Sequence, residues 1–140
     1  MTLQFVLAPL FVQVALTFAL LIGMAMQRQR AFRDRKVRWQ DAKRSRYTQW
    51  PERAAQFGDS FANQFEVPVL FYVLTILVVV TRQADLLFVL LSWMFVVLRA
   101  AQAYVHVTTN YVPRRGMTYA AGVLVLLLMW IQFALRIYLL

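Results

Sequence analysis

The sequence predicts an all-α integral membrane protein, built as a bundle of four spanning helices. Hydrophobic residues make up 61% of the 140 residues and the mean hydropathy is +0.58, which is more than a soluble core of this size requires. Four long apolar segments alternate with polar connections, and 10 of the 15 lysine and arginine residues lie between Arg28 and Arg53. The excess apolar surface must therefore face lipid, and the concentrated charge marks a connection outside the bilayer.

The first predicted helix covers residues 3–26, which carry no charged side chain. This segment is long enough to cross a hydrocarbon core about 30 Å thick at about 1.5 Å per residue. A cleaved signal peptide would carry its positive charges ahead of the apolar stretch, whereas here they follow it. The polar connection 27–58 comes next. It contains the helix breakers Pro51 and Gly58, and it can begin as a continuation of the first helix.

Three further apolar segments complete the predicted bundle. Asp59 and Ser60 offer an N-cap to the second helix. The second, third and fourth helices are predicted over residues 61–81, 86–107 and 117–140. The second and third are joined by only four residues and should form a tight antiparallel hairpin, whereas the polar turn 108–116, which contains Pro113, precedes the fourth.

The distribution of basic residues predicts the orientation and the kind of partner. Loops rich in lysine and arginine stay in the cytoplasm, so the connection 27–58 and the turn 108–116 should lie there, with both termini outside. The net charge of +9 could indicate a nucleic-acid partner, but topology and attraction to anionic headgroups account for where the charge lies. We therefore expect a multi-pass protein of the cell membrane, in contact with lipids and without nucleic acid.

The second span carries polar residues near its cytoplasmic start. Asn63 and Glu66 are three residues apart and therefore share a helix face, and Pro68 follows them. Because proline clashes with the carbonyl four residues back, the Gln64 carbonyl should be free at the same place. A polar pocket on the cytoplasmic side is the simplest interpretation.

The third span carries a polar stripe with the spacing of a single helix face, formed by Arg99, Gln102, His106 and Asn110. An arginine inside a bilayer is costly unless it is paired or hydrated, so Glu66 is the expected partner of Arg99. The alternative is that this pair only pins two helices together. The single histidine of the chain has no companion ligands, so no metal site is predicted.

The first and fourth spans are almost uniformly apolar and indicate no site. Gln13, Thr17 and Gln132 are attributed to helix packing. Arg136 lies near enough to the outer end to extend its charged group into water.

The string N-Q-F-E-V-P at residues 63–68 is preceded by Arg53-Ala54-Ala55 and followed by V-L-F-Y. In this the chain resembles the MAPEG family, the membrane-associated proteins in eicosanoid and glutathione metabolism. The resemblance implies a homotrimeric four-helix bundle that binds glutathione between adjacent subunits at the cytoplasmic side. It matches Arg53, Asn63 and Glu66 to the family's binding residues, and Arg99 to its third-helix element.

The resemblance also implies how these residues would hold glutathione, which carries two carboxylates, an ammonium group and a thiol. Arg53 would bind one carboxylate, and Arg114 or Arg115 the other. Glu66 would take the ammonium group, and Asn63 would support the peptide backbone. Arg44 and Arg46 could also reach an anionic ligand at the membrane surface.

Catalysis on this interpretation needs a group that favours the thiolate. Arg99, or an arginine of the turn, would stabilise it electrostatically, and Tyr104 would donate a hydrogen bond to the sulfur. The remaining predicted binding residues are Gln102, His106 and Asn110.

The predicted function is a glutathione-dependent transferase or peroxidase that acts on lipophilic electrophiles arriving through the bilayer. An alternative is a non-catalytic membrane subunit that binds a lipid or a partner protein through the same polar pocket. A proton or ion pathway through Glu66, His106 and Arg99 is less favoured, because the outer halves of the helices offer few polar residues to complete a route.

Overall fold

In the part of the chain that the structure describes, every regular element is a helix. The computed structural model describes residues 1–44 and 49–139, with the side chain of Arg44 excepted. Within these residues a short 3₁₀ helix covers Asp41–Arg44, and the α-helices are α1 Leu3–Arg33, α2 Glu52–Asn63, α3 Val67–Val80, α4 Leu86–Val107 and α5 Val112–Leu139. α2 and α3 together form one span, so four segments are long and apolar enough to cross a membrane. The predicted four-helix membrane bundle is confirmed.

The first and last spans are longer than their apolar segments. α1 continues past residue 26 to Arg33, because the glutamine, arginine and alanine residues beyond the lipid-facing part favour helix. α5 begins at Val112 rather than at residue 117 and includes Pro113. Proline is tolerated there because the first turn of a helix has no acceptor for its missing N–H.

The second span differs most from the prediction, because it is broken. α2 ends at Asn63, and α3 begins at Val67 with Pro68 in its first turn. Between them Glu66 has φ −97° and ψ −103°, which is not helical. Asp59, expected to cap this helix, instead lies inside α2. The proline thus starts a new helix instead of bending a continuous one.

α4 is the central helix and packs against α1, α2 and α5. Its side chains Phe95 and Val96 are buried with Phe71 of α3 and Met129 of α5, and the Phe71 and Phe95 rings lie 4.9 Å apart. Large apolar side chains on the outer faces are exposed, for example Val97. This arrangement leaves an apolar exterior for lipid and a packed interior for the helices.

The two ends of the bundle differ in their connections and in their charged contacts. At one end, which we call the basic end, lie the connection between α1 and α2 and the turn between α4 and α5. At the other end Asp85 caps α4 by accepting from the Phe88 N–H at 2.9 Å, and it forms an ion pair with Arg136. Gln132 donates to the same carboxylate at 3.3 Å. The sequence had suggested only that Arg136 extends its charged group into water and that Gln132 packs between helices. In the structure both side chains connect α5 to the start of α4.

Candidate functional site

A polar pocket of about 470 Å³ opens between α2, α4 and α5 at the basic end. Its lining consists of Asp59, Ala62, Asn63, Glu66, Gln102, His106, Arg115, Gly116 and Tyr119. Ligand sites are commonly about 300–1,000 Å³ in volume, so the pocket can hold a molecule of tripeptide size.

The α2 side of the pocket carries two carboxylates. Asp59 and Asn63 are four residues apart and lie on one helix face, and Glu66 follows at the break. Both acidic side chains are exposed, so neither has lost its hydration. This wall can accept a cationic group of a ligand.

The α4 side is buried and polar. Gln102 and His106 line the pocket, and His106 is only 4% exposed. The Gln102 Oε1 and His106 Nδ1 atoms are buried without a hydrogen-bond partner within the described part of the chain. Buried polar atoms are normally satisfied by protein, water or ligand, so each of these two atoms calls for a partner that the described residues do not supply.

Arg99 lies deeper on the same stripe and is 1% exposed. The expected ion pair with Glu66 does not form among the described residues, and this expectation was wrong. Instead, Arg99 Nη2 donates to the Asn63 carbonyl at 3.2 Å, and its guanidinium lies 5.7 Å from the centre of the Tyr119 ring. Glu66, at the break, faces the open pocket and stays exposed.

The helix break provides the acceptor for Arg99. Because α2 ends early, the Asn63 carbonyl can accept from Arg99 Nη2 in addition to the Glu66 N–H, which donates to it at 3.3 Å. The prediction had expected the proline to free the carbonyl of Gln64 and had paired Arg99 with Glu66. Gln64 uses its side chain instead: it accepts from Gln13 Nε2 at 2.8 Å and donates to the Ser60 carbonyl at 2.9 Å. A buried polar link thus joins α1 to the end of α2.

The α5 side contributes one arginine to the lining. Arg115 Nη1 donates to Asn110 Oδ1 at 2.7 Å, and Asn110 itself has a left-handed φ of 49° just after α4. The predicted stripe residue Asn110 therefore acts by holding Arg115 beside the pocket. Its own side chain is not part of the lining.

Three predicted residues lie away from the pocket. Tyr104 is 70% exposed on the outer side of α4, and Arg53 is exposed near the start of α2. Arg114 is exposed and lies over Tyr111, with its guanidinium 5.9 Å from the ring centre. Their proposed roles stay predictions. Of the two further arginines, Arg46 and the side chain of Arg44 lie outside the described residues.

The structure adds two residues that the sequence had not indicated as part of a site. Asp59 was interpreted as a helix cap, although its spacing of four from Asn63 was a usable signal. Tyr119 lies four residues after Arg115 and so shares its helix face. An aromatic residue at the start of an apolar span, however, does not by itself indicate a site.

These features define the chain as a polytopic membrane protein with a ligand-sized polar pocket at one end of its helix bundle. The model of the MAPEG family matches residues 6–135, nearly the whole chain, and the chain belongs to this family. No curated protein and no solved structure matched the chain. Membership supports a membrane function related to glutathione or eicosanoid metabolism in general.

Proposed function

We propose that this protein is a glutathione-dependent membrane transferase or peroxidase that acts on lipophilic electrophiles. The observation that carries the proposal is the pocket at the basic end. It combines carboxylates, a guanidinium group and two buried polar atoms that have no partner among the residues described. Family membership supports the choice of glutathione over other zwitterionic ligands.

The charges of the pocket suit the functional groups of glutathione. Asp59 and Glu66 would bind the ammonium group from the α2 side, and Arg115 would bind a carboxylate from the α5 side. Asn63 and Gln102 would contact the peptide groups, which need both donors and acceptors.

Thiolate formation on this proposal depends on the α4 wall. The His106 Nδ1 atom, buried without a partner among the described residues, would take the proton of the thiol, and the buried charge of Arg99 would stabilise the resulting sulfur anion. The thiolate sulfur then forms a bond to an electrophilic carbon of the lipophilic substrate while that carbon's leaving group departs. Arg99 does not line the pocket, so we assign it an electrostatic role at a distance.

We further propose a homotrimer with the basic end in the cytoplasm. Exposed Arg53, Tyr104 and Arg114 do not line the pocket of their own chain. They would reach bound glutathione only across an interface between copies, which favours a site shared by adjacent subunits. The concentration of lysine and arginine at this end supports the orientation.

Glutathione binding to the detergent-purified protein tests the proposal. Calorimetry measures affinity, and ultraviolet difference absorbance measures the thiolate. The substitutions Asp59→Asn and Glu66→Gln should weaken glutathione binding at least about tenfold, because each substitution removes a charge-assisted contact. Glu52→Gln is the matched control, since it removes an exposed carboxylate from the same helix outside the pocket. Equal affinity in all variants would contradict the site.

One observation favours a non-catalytic alternative. Arg99 and Tyr104, the two predicted catalytic residues, both lie outside the pocket lining of the chain. A subunit that only binds a ligand would show saturable glutathione binding without thiolate absorbance. The same experiment therefore separates the two functions.

A further inference from the structure

The segment after α1 has a fixed shape, although it lies in the most basic part of the chain. Arg35 adopts a left-handed conformation with φ of 56°, which turns the chain back onto the helix end. The N–H groups of Lys36 and Val37 donate to the Ala31 carbonyl at 2.9 and 3.4 Å, and Val37 is buried. The turn is therefore anchored by both hydrogen bonds and packing.

An aromatic cluster holds the next part of the segment. The Phe32 ring stacks on Trp39 at 4.6 Å, with 10° between the planes, and meets Trp50 edge-on at 5.6 Å. The Arg28 guanidinium lies 4.8 Å from the centre of the Trp50 ring. Residues from both ends of the connection thus pack against the last turns of α1.

These contacts shape a second pocket, of about 560 Å³, between the turn and the aromatic cluster. Its lining consists of Phe32, Arg35, Val37, Arg38, Trp39 and Gln40. Arg35 and Arg38 are exposed, and neither forms an ion pair within residues 1–44 and 49–139. Between residues 28 and 44 eight basic residues face two acidic ones, so this surface attracts anions.

The depth of the pocket relates it to the membrane surface. The uncharged part of α1 ends at Met26, and Phe32 lies about 9 Å further along the same helix at about 1.5 Å per residue. The headgroup layer on each side of a bilayer is about 5–8 Å thick. Tryptophan side chains such as the exposed Trp39 favour this layer. By this measure Phe32 lies at or just beyond the aqueous edge of the headgroup layer, and the turn at Arg35 brings the chain back towards the lipid phosphates.

We propose that Arg35, Arg38 and Gln40 beside Trp39 form a binding site for the headgroup phosphate of an anionic glycerophospholipid. Guanidinium groups pair with phosphate oxygens through charge-assisted hydrogen bonds, and the Gln40 amide adds a neutral donor. The Trp39 ring would lie against the glycerol region of the same lipid. This site is separate from the polar pocket of the spans and does not depend on the function proposed for it.

Native mass spectrometry of the full chain in neutral detergent tests the site with phosphatidylglycerol, and with phosphatidylcholine for comparison. Individual lipids in detergent create no charged membrane surface, so retained lipid reports a specific contact. Arg35→Gln with Arg38→Gln should weaken phosphatidylglycerol binding at least about tenfold. The matched control is Arg30→Gln with Arg33→Gln, which removes the same charge from the last turn of α1 outside the pocket. We expect the control to stay within about twofold of the unmodified protein.

Four outcomes would overturn the proposal. An equal loss in both double variants would show that charge alone holds the lipid, and no loss in either would show that these arginines do not contact it. Displacement by inorganic phosphate at the concentration of the lipid would assign the site to a free anion. Arg35→Gly with Arg38→Gln guards against a disturbed turn, because glycine adopts the left-handed conformation of residue 35 without strain. Normal lipid binding by this second variant would equally exclude the site.

Discussion

Arg99 is a charged residue that the protein keeps inside its helix bundle without a carboxylate partner among the described residues. Its contacts are a backbone carbonyl, that of Asn63, and the face of the Tyr119 ring. A backbone carbonyl and an aromatic face each offset only part of the cost of burying the charge. Such a residue is retained for function more readily than for stability.

Replacing Arg99 by methionine should therefore separate stability from function. We expect the thermal unfolding midpoint to stay unchanged or to rise, because an apolar residue of similar volume often replaces a buried charge at no cost. The Asn63 carbonyl keeps a bond from the Glu66 N–H at 3.3 Å, so it is not left unpaired. Thiolate absorbance with glutathione should disappear.

The control for this variant is Arg33→Met, which removes an exposed arginine at the end of α1. It should leave both measurements unchanged. A collapse of folded protein in Arg99→Met alone would show that the arginine is structural.

The link between Gln13 and Gln64 gives a second prediction for single residues. Both side chains are buried, and Gln13 Oε1 already has no partner in the described part of the chain. Gln64→Leu should destabilise the protein by about 1–3 kcal/mol, because it leaves the Gln13 Nε2 donor unpaired as well. Denaturant unfolding in mixed micelles, followed by circular dichroism, measures this loss.

The double variant Gln13→Leu with Gln64→Leu removes both partners and serves as the control. It should be less destabilised than the sum of the single variants, with a coupling of about 0.5–3 kcal/mol. Additive losses would show that the hydrogen bond contributes nothing measurable.

Among the elements, the contact between α1 and α2 sets the position of the carboxylate wall. A Cβ atom added at Gly23 of α1 would lie 2.3 Å from the Phe57 Cε1 atom of α2. Glycine is therefore required for the close approach of these helices. α2 carries Asp59 and Asn63, so this contact also fixes how far they reach into the pocket.

Gly23→Ala should destabilise the protein by about 1–3 kcal/mol, because the Phe57 ring must move out of a packed position. Gly116→Ala is the matched control. No atom lies within 4 Å of its added Cβ, so alanine should stabilise α5 by about 0.5–1 kcal/mol. Thermal unfolding of the two variants should thus shift in opposite directions. If Phe57→Leu did not rescue Gly23→Ala, the cost would not come from this contact.

For the whole molecule, the two ends of the bundle differ in charge and should face different compartments. The chain has no cysteine, so single cysteines can be introduced without background. Gln40 lies at the basic end, and Tyr138 lies exposed near the end of α5. A membrane-impermeant maleimide should label Tyr138→Cys in intact cells and Gln40→Cys only after permeabilisation. The reverse pattern would contradict the cytoplasmic placement of the basic end.

The sequence predicted the spans well because the bilayer imposes a simple rule on them. Any segment that crosses lipid must satisfy its backbone internally and expose apolar side chains, so composition and length identify the helices. The same rule does not apply beyond the lipid. This explains why the sequence allowed α1 to continue past residue 26 without giving its end at Arg33, and why it did not predict the early start of α5 at Val112.

By itself the sequence determined the fold class and the four spans. It also indicated two polar helix faces, the stripe on α4 and the N-x-x-E face before Pro68, that should lie near each other on the cytoplasmic side. The tertiary structure decided which of these groups meet. In the structure Arg99 donates to a backbone carbonyl and does not pair with Glu66. Asp59 and Tyr119 line the pocket, whereas Tyr104 lies outside it. The physical reason is that helix periodicity fixes only the face of a residue, whereas the helix break before Val67 and the close packing at Gly23 fix its neighbours.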